Sequence, residues 1–112
     1  PPADPDAVAE IVPMELARRL REGPPLELID VREPGEWEVA HIEGARLVPL
    51  GQLQGSLPTF DGSREIVVMC RSGQRSAAAV RRLQAAGFRR VRNLAGGILR
   101  WSEEVDPSLP RY

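Results

Sequence analysis

Residues 66–80 constrain what this chain can fold into more than any other stretch. Ile66, Val67, Val68 and Met69 form an apolar run too short for a helix and rich in β-branching. Such a run reads as a strand buried on both faces. Cys70 follows, and it is the only cysteine in the chain. Arg71, Ser72, Gly73, Gln74 and Arg75 make a polar loop, and from Ser76 the sequence turns alanine-rich and helical. A strand buried on both faces that leads into a helix belongs to a parallel α/β sheet. The single thiol then stands at the strand's carboxyl end.

That position carries chemistry. In open parallel sheets, ligands bind outside the carboxyl ends of the strands. Free amides at a helix start, together with the helix dipole, favour negative charge there. A curled loop of successive N–H groups is an anion nest, and Gly73 lets the backbone turn inward. Cys70 is therefore expected as a thiolate with its pKa below the free value of roughly 8.5. Arg71 and Arg75 are expected to add positive charge beside it. Cysteine-type protein phosphatases place five residues between the cysteine and the loop arginine. Here only Arg71, Ser72, Gly73 and Gln74 separate Cys70 from Arg75. A shorter ring suits one extra sulfur on Cys70 better than a tetrahedral oxyanion.

The run Cys70-Arg71-Ser72-Gly73-Gln74-Arg75-Ser76 resembles the active-site loop of the rhodanese (sulfurtransferase) family. Leu28-Ile29-Asp30-Val31-Arg32-Glu33 resembles the family's early strand and turn, and His41-Ile42-Glu43-Gly44-Ala45 its second signature. Asn93-Leu94-Ala95-Gly96-Gly97-Ile98 and Trp101 resemble its closing segment. The resemblance implies an α/β, rhodanese-like fold: a central parallel five-stranded sheet with helices on both faces. It implies Cys70 as the catalytic residue, with Arg71 to Ser76 binding the substrate or persulfide sulfur. It implies no metal and no cofactor beyond a covalent cysteine persulfide. The donor would be anionic, either thiosulfate or the persulfide of a cysteine desulfurase. The chain's ending also resembles that of two-domain sulfur-carrier adenylyltransferases, as in molybdopterin or thiamine biosynthesis. A small sulfur-carrier protein would then be the acceptor. The competing readings are a cysteine-dependent phosphatase or arsenate reductase, and a noncatalytic docking module on the same fold.

At 112 residues, one domain is expected. We draw it over residues 11–112, with a proline-rich flexible lead-in or linker over residues 1–10. The chain lacks an initiating Met, so either a shortened chain or a domain taken from a larger protein is expected. No apolar run reaches the ~18 residues that a membrane span needs. One cysteine makes no internal disulfide, so a reducing, cytoplasmic setting is expected. Residues 66–102 carry eight arginines and no acid, while residues 1–65 carry thirteen acids and six arginines. The half that holds Cys70 would thus steer an anionic donor or acidic protein toward the loop. Nucleic acid is disfavoured as a partner, because aromatic interleaving and a binding motif are missing.

Other residues are weighed against bland alternatives. Asp30 and Arg32 are expected as supporting scaffold, pairing with loop amides and with each other. Glu33, Glu36 and Glu38 read as a solvated helix face. His41 is the only histidine, and the resemblance makes it a structural turn residue rather than the base of a Cys–His dyad. One His and one Cys do not fill a zinc shell. Gly96-Gly97 either gives a substrate room near Cys70 or starts the last helix.

The remaining elements follow from spacing. A short strand is expected near residues 10–12, then a helix opened by Pro13 and stopped by Gly23-Pro24-Pro25. A second strand covers residues 26–31, and a short helix with an inward-facing Trp37 covers residues 33–40. A third strand covers residues 45–48. The main helix spans residues 76–86, with Ala77, Val80 and Leu83 buried. Gly87 is its left-handed cap, and Phe88 folds back on Leu83. Residues 91–94 form the last strand, and residues 98–105 the last helix.

Overall fold

The apolar run at residues 66–69 lies at the middle of a parallel sheet in the computed structural model, which describes residues 8–111. The strands are β1 (Glu10–Ile11), β2 (Leu26–Asp30), β3 (Arg46–Leu47), β4 (Glu65–Met69) and β5 (Val91–Leu94). Their spatial order is β1-β5-β4-β2-β3, and every pairing is parallel. The five-stranded parallel sheet expected from the resemblance is present. Parallel strands need crossovers, and each of the four contains a helix: α1 (Pro13–Glu22), α2 (Pro34–Val39), α3 (Leu53–Ser56) and α4 (Gln74–Ala85), with α5 (Gly97–Glu104) following the last strand.

Alternation along β4 divides the core into two layers. Ile66, Val68 and Cys70 pack with Ala79, Val80 and Leu83 of α4 and with Leu53 and Phe60. Val67 and Met69 face the other way, toward Leu16 and Ala17 of α1 and Ile98 and Trp101 of α5. Helices thus cover both faces, and β4 is apolar from Ile66 to Met69 because neither face meets water there.

Several local expectations shift. Val8 packs against the core and Glu10 enters β1, so ordered structure reaches into the segment assigned as lead-in. The rest of that segment, residues 1–7, lies outside the described residues. The main helix begins at Gln74 rather than Ser76, because Gly73 turns the chain with φ +108° and serves as its N-cap. Ala77 is only half-buried, and Ser76 and Ala79 are buried in its place. Trp37 does not enter the core. It is half-buried and stacks on His41, with ring centroids 4.0 Å apart and planes within 2°. Helix α2 buries none of its side chains, so the sheet never had to receive that indole. The α4 cap forms as expected: Gly87 has φ +100°, and the Phe88 N–H donates to the Leu83 carbonyl at 3.0 Å.

Candidate active site

Cys70 follows the last residue of β4 and is 1% exposed. Its sulfur sits inside the turn that Gly73 makes. The Gly73 N–H donates to Cys70 Sγ at 3.1 Å, and the Ser76 N–H at 3.4 Å. Ser76 Oγ lies 3.3 Å from the same sulfur. The Ser76 N–H is free to do this because it belongs to the first turn of α4, where amides lack an intrahelical acceptor. Burial pushes the thiol up, but hydrogen bonds from the Ser76 hydroxyl and from the N–H groups of Ser76, Gly73 and Ser72 outweigh it. The net result is a Cys70 pKa below the ordinary thiol value.

Arg75 makes a further contact that the sequence does not announce, while its charge still interacts with Cys70. Arg75 pairs with Glu36 of α2, at 2.7 and 2.9 Å. Glu36 is therefore no solvated side chain. The Arg75 guanidinium is the main reason its carboxyl is lowered to about 2. The Glu36 carboxylate also accepts the Glu33 N–H at 3.0 Å, completing a capping box on α2. Arg75 keeps its charge firmly, raised above the ordinary guanidinium by Glu36. Arg71, Ser72 and Gln74 have exposed side chains at the rim of the loop.

Asp30 and Arg32 are both fully buried and pair with each other. Arg32 Nη2 donates to Asp30 Oδ2 at 2.8 Å, and Arg32 Nε lies 3.1 Å from both carboxylate oxygens. The backbone N–H of Arg32 donates to Asp30 Oδ1 at 3.0 Å. Arg32 then reaches the carbonyls of Ala40 and Glu36, at 2.6 and 3.4 Å. The pair thus ties the end of β2 to α2, and α2 in turn holds Arg75 through Glu36. His41 is exposed, and its Nδ1 bonds the Trp37 carbonyl at 3.0 Å. Among the described residues, no group of three or more His, Cys, Asp or Glu side chains is placed to hold a metal ion.

Two further residues shape the ring. Asn93 of β5 is 2% exposed and donates from Nδ2 to the Gly73 carbonyl at 3.0 Å. A carbonyl only accepts, so this contact fixes the amide's orientation and leaves Oδ1 facing Ser76 Oγ, 2.5 Å away. Gly97 settles the open choice at the glycine pair. It has φ +61°, and a Cβ there would lie 2.4 Å from the Arg71 carbonyl oxygen. The start of α5 packs directly on the loop's backbone. Its amides bond the loop as well, Ile98 N–H to the Cys70 carbonyl at 2.9 Å and Leu99 N–H to the Arg71 carbonyl at 3.2 Å. A cleft of about 500 Å³ borders Gly73, Gln74, Ala77, Arg81 and Asn93, but Cys70 does not line it.

A family model described as "Rhodanese-like domain" matches residues 12–104. The chain belongs to that family. The rhodanese-like domain is 38% identical over 104 residues to the "Probable adenylyltransferase/sulfurtransferase MoeZ" of Mycobacterium tuberculosis, covering 91% of this chain and 26% of the relative. It is 32% identical over 111 residues to "Adenylyltransferase and sulfurtransferase MOCS3-2" of Zea mays, covering 93% and 23%. The chain thus spans about a quarter of the length of these curated relatives. Among solved structures it is similar to a rhodanese-like domain protein from Staphylococcus aureus, with a TM-score of 0.80 and 30% identity. That match covers 93% of this chain and 98% of the other. No helix among the described residues is long and apolar enough to cross a membrane.

Proposed function

We propose that this rhodanese-like domain is a sulfurtransferase that carries a sulfane sulfur as a persulfide on Cys70. One observation carries the reading: the Cys70 sulfur is ringed by the Gly73 N–H, the Ser76 N–H and the Ser76 hydroxyl at 3.1 to 3.4 Å. Such a ring favours a sulfur anion over a neutral thiol. In the first step the Cys70 thiolate attacks the outer sulfur of a donor. With thiosulfate, a sulfur–sulfur bond forms to Cys70 while the donor's own sulfur–sulfur bond breaks, and the electron pair leaves with sulfite. In the second step an acceptor nucleophile takes the outer sulfur and restores the thiolate. The kinetics are ping-pong. The persulfide is the only carrier, so the cycle uses no separate cofactor and no metal.

The depth of Cys70 favours donors that present a protruding sulfur, either thiosulfate or the persulfide of a cysteine desulfurase. Similarity to adenylyltransferase–sulfurtransferases supports a small sulfur-carrier protein as the acceptor. A free, reactive thiol suits a reducing, cytoplasmic setting. Arg75 argues against the phosphatase or arsenate reductase reading, since both of its terminal nitrogens are engaged by Glu36.

The test is intact mass spectrometry after incubation with thiosulfate. A gain of one sulfur atom, removed by cyanide and lost in Cys70→Ser, is the expected result. An unchanged mass with both thiosulfate and a desulfurase persulfide overturns the sulfurtransferase reading. Turnover of an aryl phosphate reopens the phosphatase reading.

A further inference from the structure

Ser76 has one hydroxyl proton and two acceptors within reach. Cys70 Sγ lies 3.3 Å from Ser76 Oγ, and Asn93 Oδ1 lies 2.5 Å from it on another side. A hydroxyl donates to one acceptor at a time. When its proton points at Asn93, Ser76 Oγ turns a lone pair toward the sulfur. When the proton points at the sulfur, two oxygen lone pairs face each other across 2.5 Å. The residues are locked in this choice: Ser76 is fully buried, Asn93 is 2% exposed, and Nδ2 of Asn93 is committed to the Gly73 carbonyl.

We propose that Asn93 is a positioning residue for sulfur transfer, holding the Ser76 hydroxyl proton while Cys70 Sγ is uncharged and yielding it when Sγ is a thiolate. The inference rests on the sulfurtransferase reading for its role in the cycle. A neutral amide oxygen is a weaker acceptor than a thiolate, so the proton goes to the sulfur when Cys70 is ionised. On persulfide formation the negative charge moves from Sγ to the outer sulfur. The hydroxyl then rotates back to Asn93 Oδ1, and no bond to hydrogen is broken. The amides of Gly73 and Ser76 stay in place in both states, so the ring adapts to a displaced charge through one rotor. A carboxylate at position 93 would never release the proton, and an apolar side chain would never claim it.

The test is a double-mutant cycle read as the thiol pKa, from the pH dependence of iodoacetamide alkylation. The proteins are wild type, Ser76→Ala, Asn93→Asp, Asn93→Leu and the two combinations with Ser76→Ala. Asn93→Asp is expected to raise the pKa more when Ser76 is present than when Ala replaces it, by roughly half a unit or more. Asn93→Leu is expected to couple with the opposite sign, because removing the competing acceptor strengthens donation to the sulfur. A residue that merely braced the loop would shift both backgrounds alike, or would couple with the same sign in both variants. Either result overturns the proposal. Far-ultraviolet circular dichroism confirms folding, and if one Asn93 variant does not fold, absent or wrong-signed coupling in the other still overturns the proposal. Sulfur loading by mass spectrometry reads the transferase assignment separately. Loading without coupling removes the role of Asn93, whereas coupling without loading removes the sulfurtransferase reading.

Discussion

Arg75 and Glu36 meet in a two-point ion pair, Nη1 to Oε1 at 2.7 Å and Nη2 to Oε2 at 2.9 Å, between the first turn of α4 and the short helix α2. Arg75 is therefore a strut that binds one crossover to another. The groups that hydrogen-bond the sulfur are backbone amides and one hydroxyl, all neutral dipoles.

Glu36→Gln should weaken this strut. The Arg75 side chain is 37% exposed, so the loss is discounted for screening to about 1 kcal/mol, or about 4 °C in Tm. The pH dependence has a definite sign. The carboxyl of Glu36 is depressed to about 2 from an ordinary 4.5, so its contribution is fully present above pH 4.5 and disappears as pH falls toward 2. Urea midpoints of wild type and Glu36→Gln should converge over that window. Parallel curves from pH 6 to 2 would show that the pair does not hold α2.

Ser76→Ala should raise the Cys70 pKa by roughly one unit, since it deletes a donor to the thiolate. Alkylation at neutral pH then slows several-fold, while the limiting rate at high pH is kept. The sign for stability follows from the depressed thiol. Wild type gains stability relative to Cys70→Ser as pH rises from the folded thiol pKa toward the ordinary value of 9.0, and loses that gain as pH falls. An alkylation midpoint identical in Ser76→Ala and wild type would remove the hydroxyl from the account.

Gly97→Ala should be among the most damaging single-methyl changes in the chain. The left-handed backbone at φ +61° disfavours any side chain, and the added carbon would meet the backbone of Cys70 and Arg71 at 2.4 to 2.5 Å. We expect a loss of at least about 2 kcal/mol, together with slower sulfur loading. Chemical denaturation and the mass assay measure the two effects. Gly35→Ala is the control, because nothing lies within 4 Å of a Cβ placed there.

Arg32→Leu should leave the fully buried Asp30 carboxylate without its guanidinium. Breaking such a pair costs about 3–5 kcal/mol. The carbonyls of Ala40 and Glu36 lose a donor in the same step. A large fall in the urea midpoint is expected, with a smaller fall when Asp30→Leu accompanies it. Equal stability of the single variant and wild type would contradict the pair's structural role.

Much of this arrangement was readable from local pattern. The β-branched run before Cys70 announced a central strand, because a strand between two helix layers has no polar face. Gly87 announced a helix end, because only a glycine accepts that turn readily. What stayed hidden were partners distant in the chain. Glu36 looked like one acid among several on an exposed helix, and its partner lies 39 residues away. A local trace was present, since Glu33 and Glu36 stand at capping-box spacing. Asn93 carried a stronger trace, being the only asparagine in the sequence and set in a strand of buried residues. A polar amide in such a place needs partners, and sequence order does not say which. Trp37 misled because aromatic bulk suggests burial, while α2 lies outside the core and offers the indole His41 instead.

A trans peptide plane is a rigid lever with a carbonyl at one end and an N–H at the other. The Leu99 N–H at the start of α5 pins the Arg71 carbonyl, so the opposite end of that plane, the Ser72 N–H, is directed at Cys70. The carboxyl-terminal helix thereby sets the angle of a lever whose far tip touches the thiol. Fraying of that helix should make the thiol less acidic before the sheet comes apart, so slowed alkylation becomes an early gauge of damage remote from the cysteine.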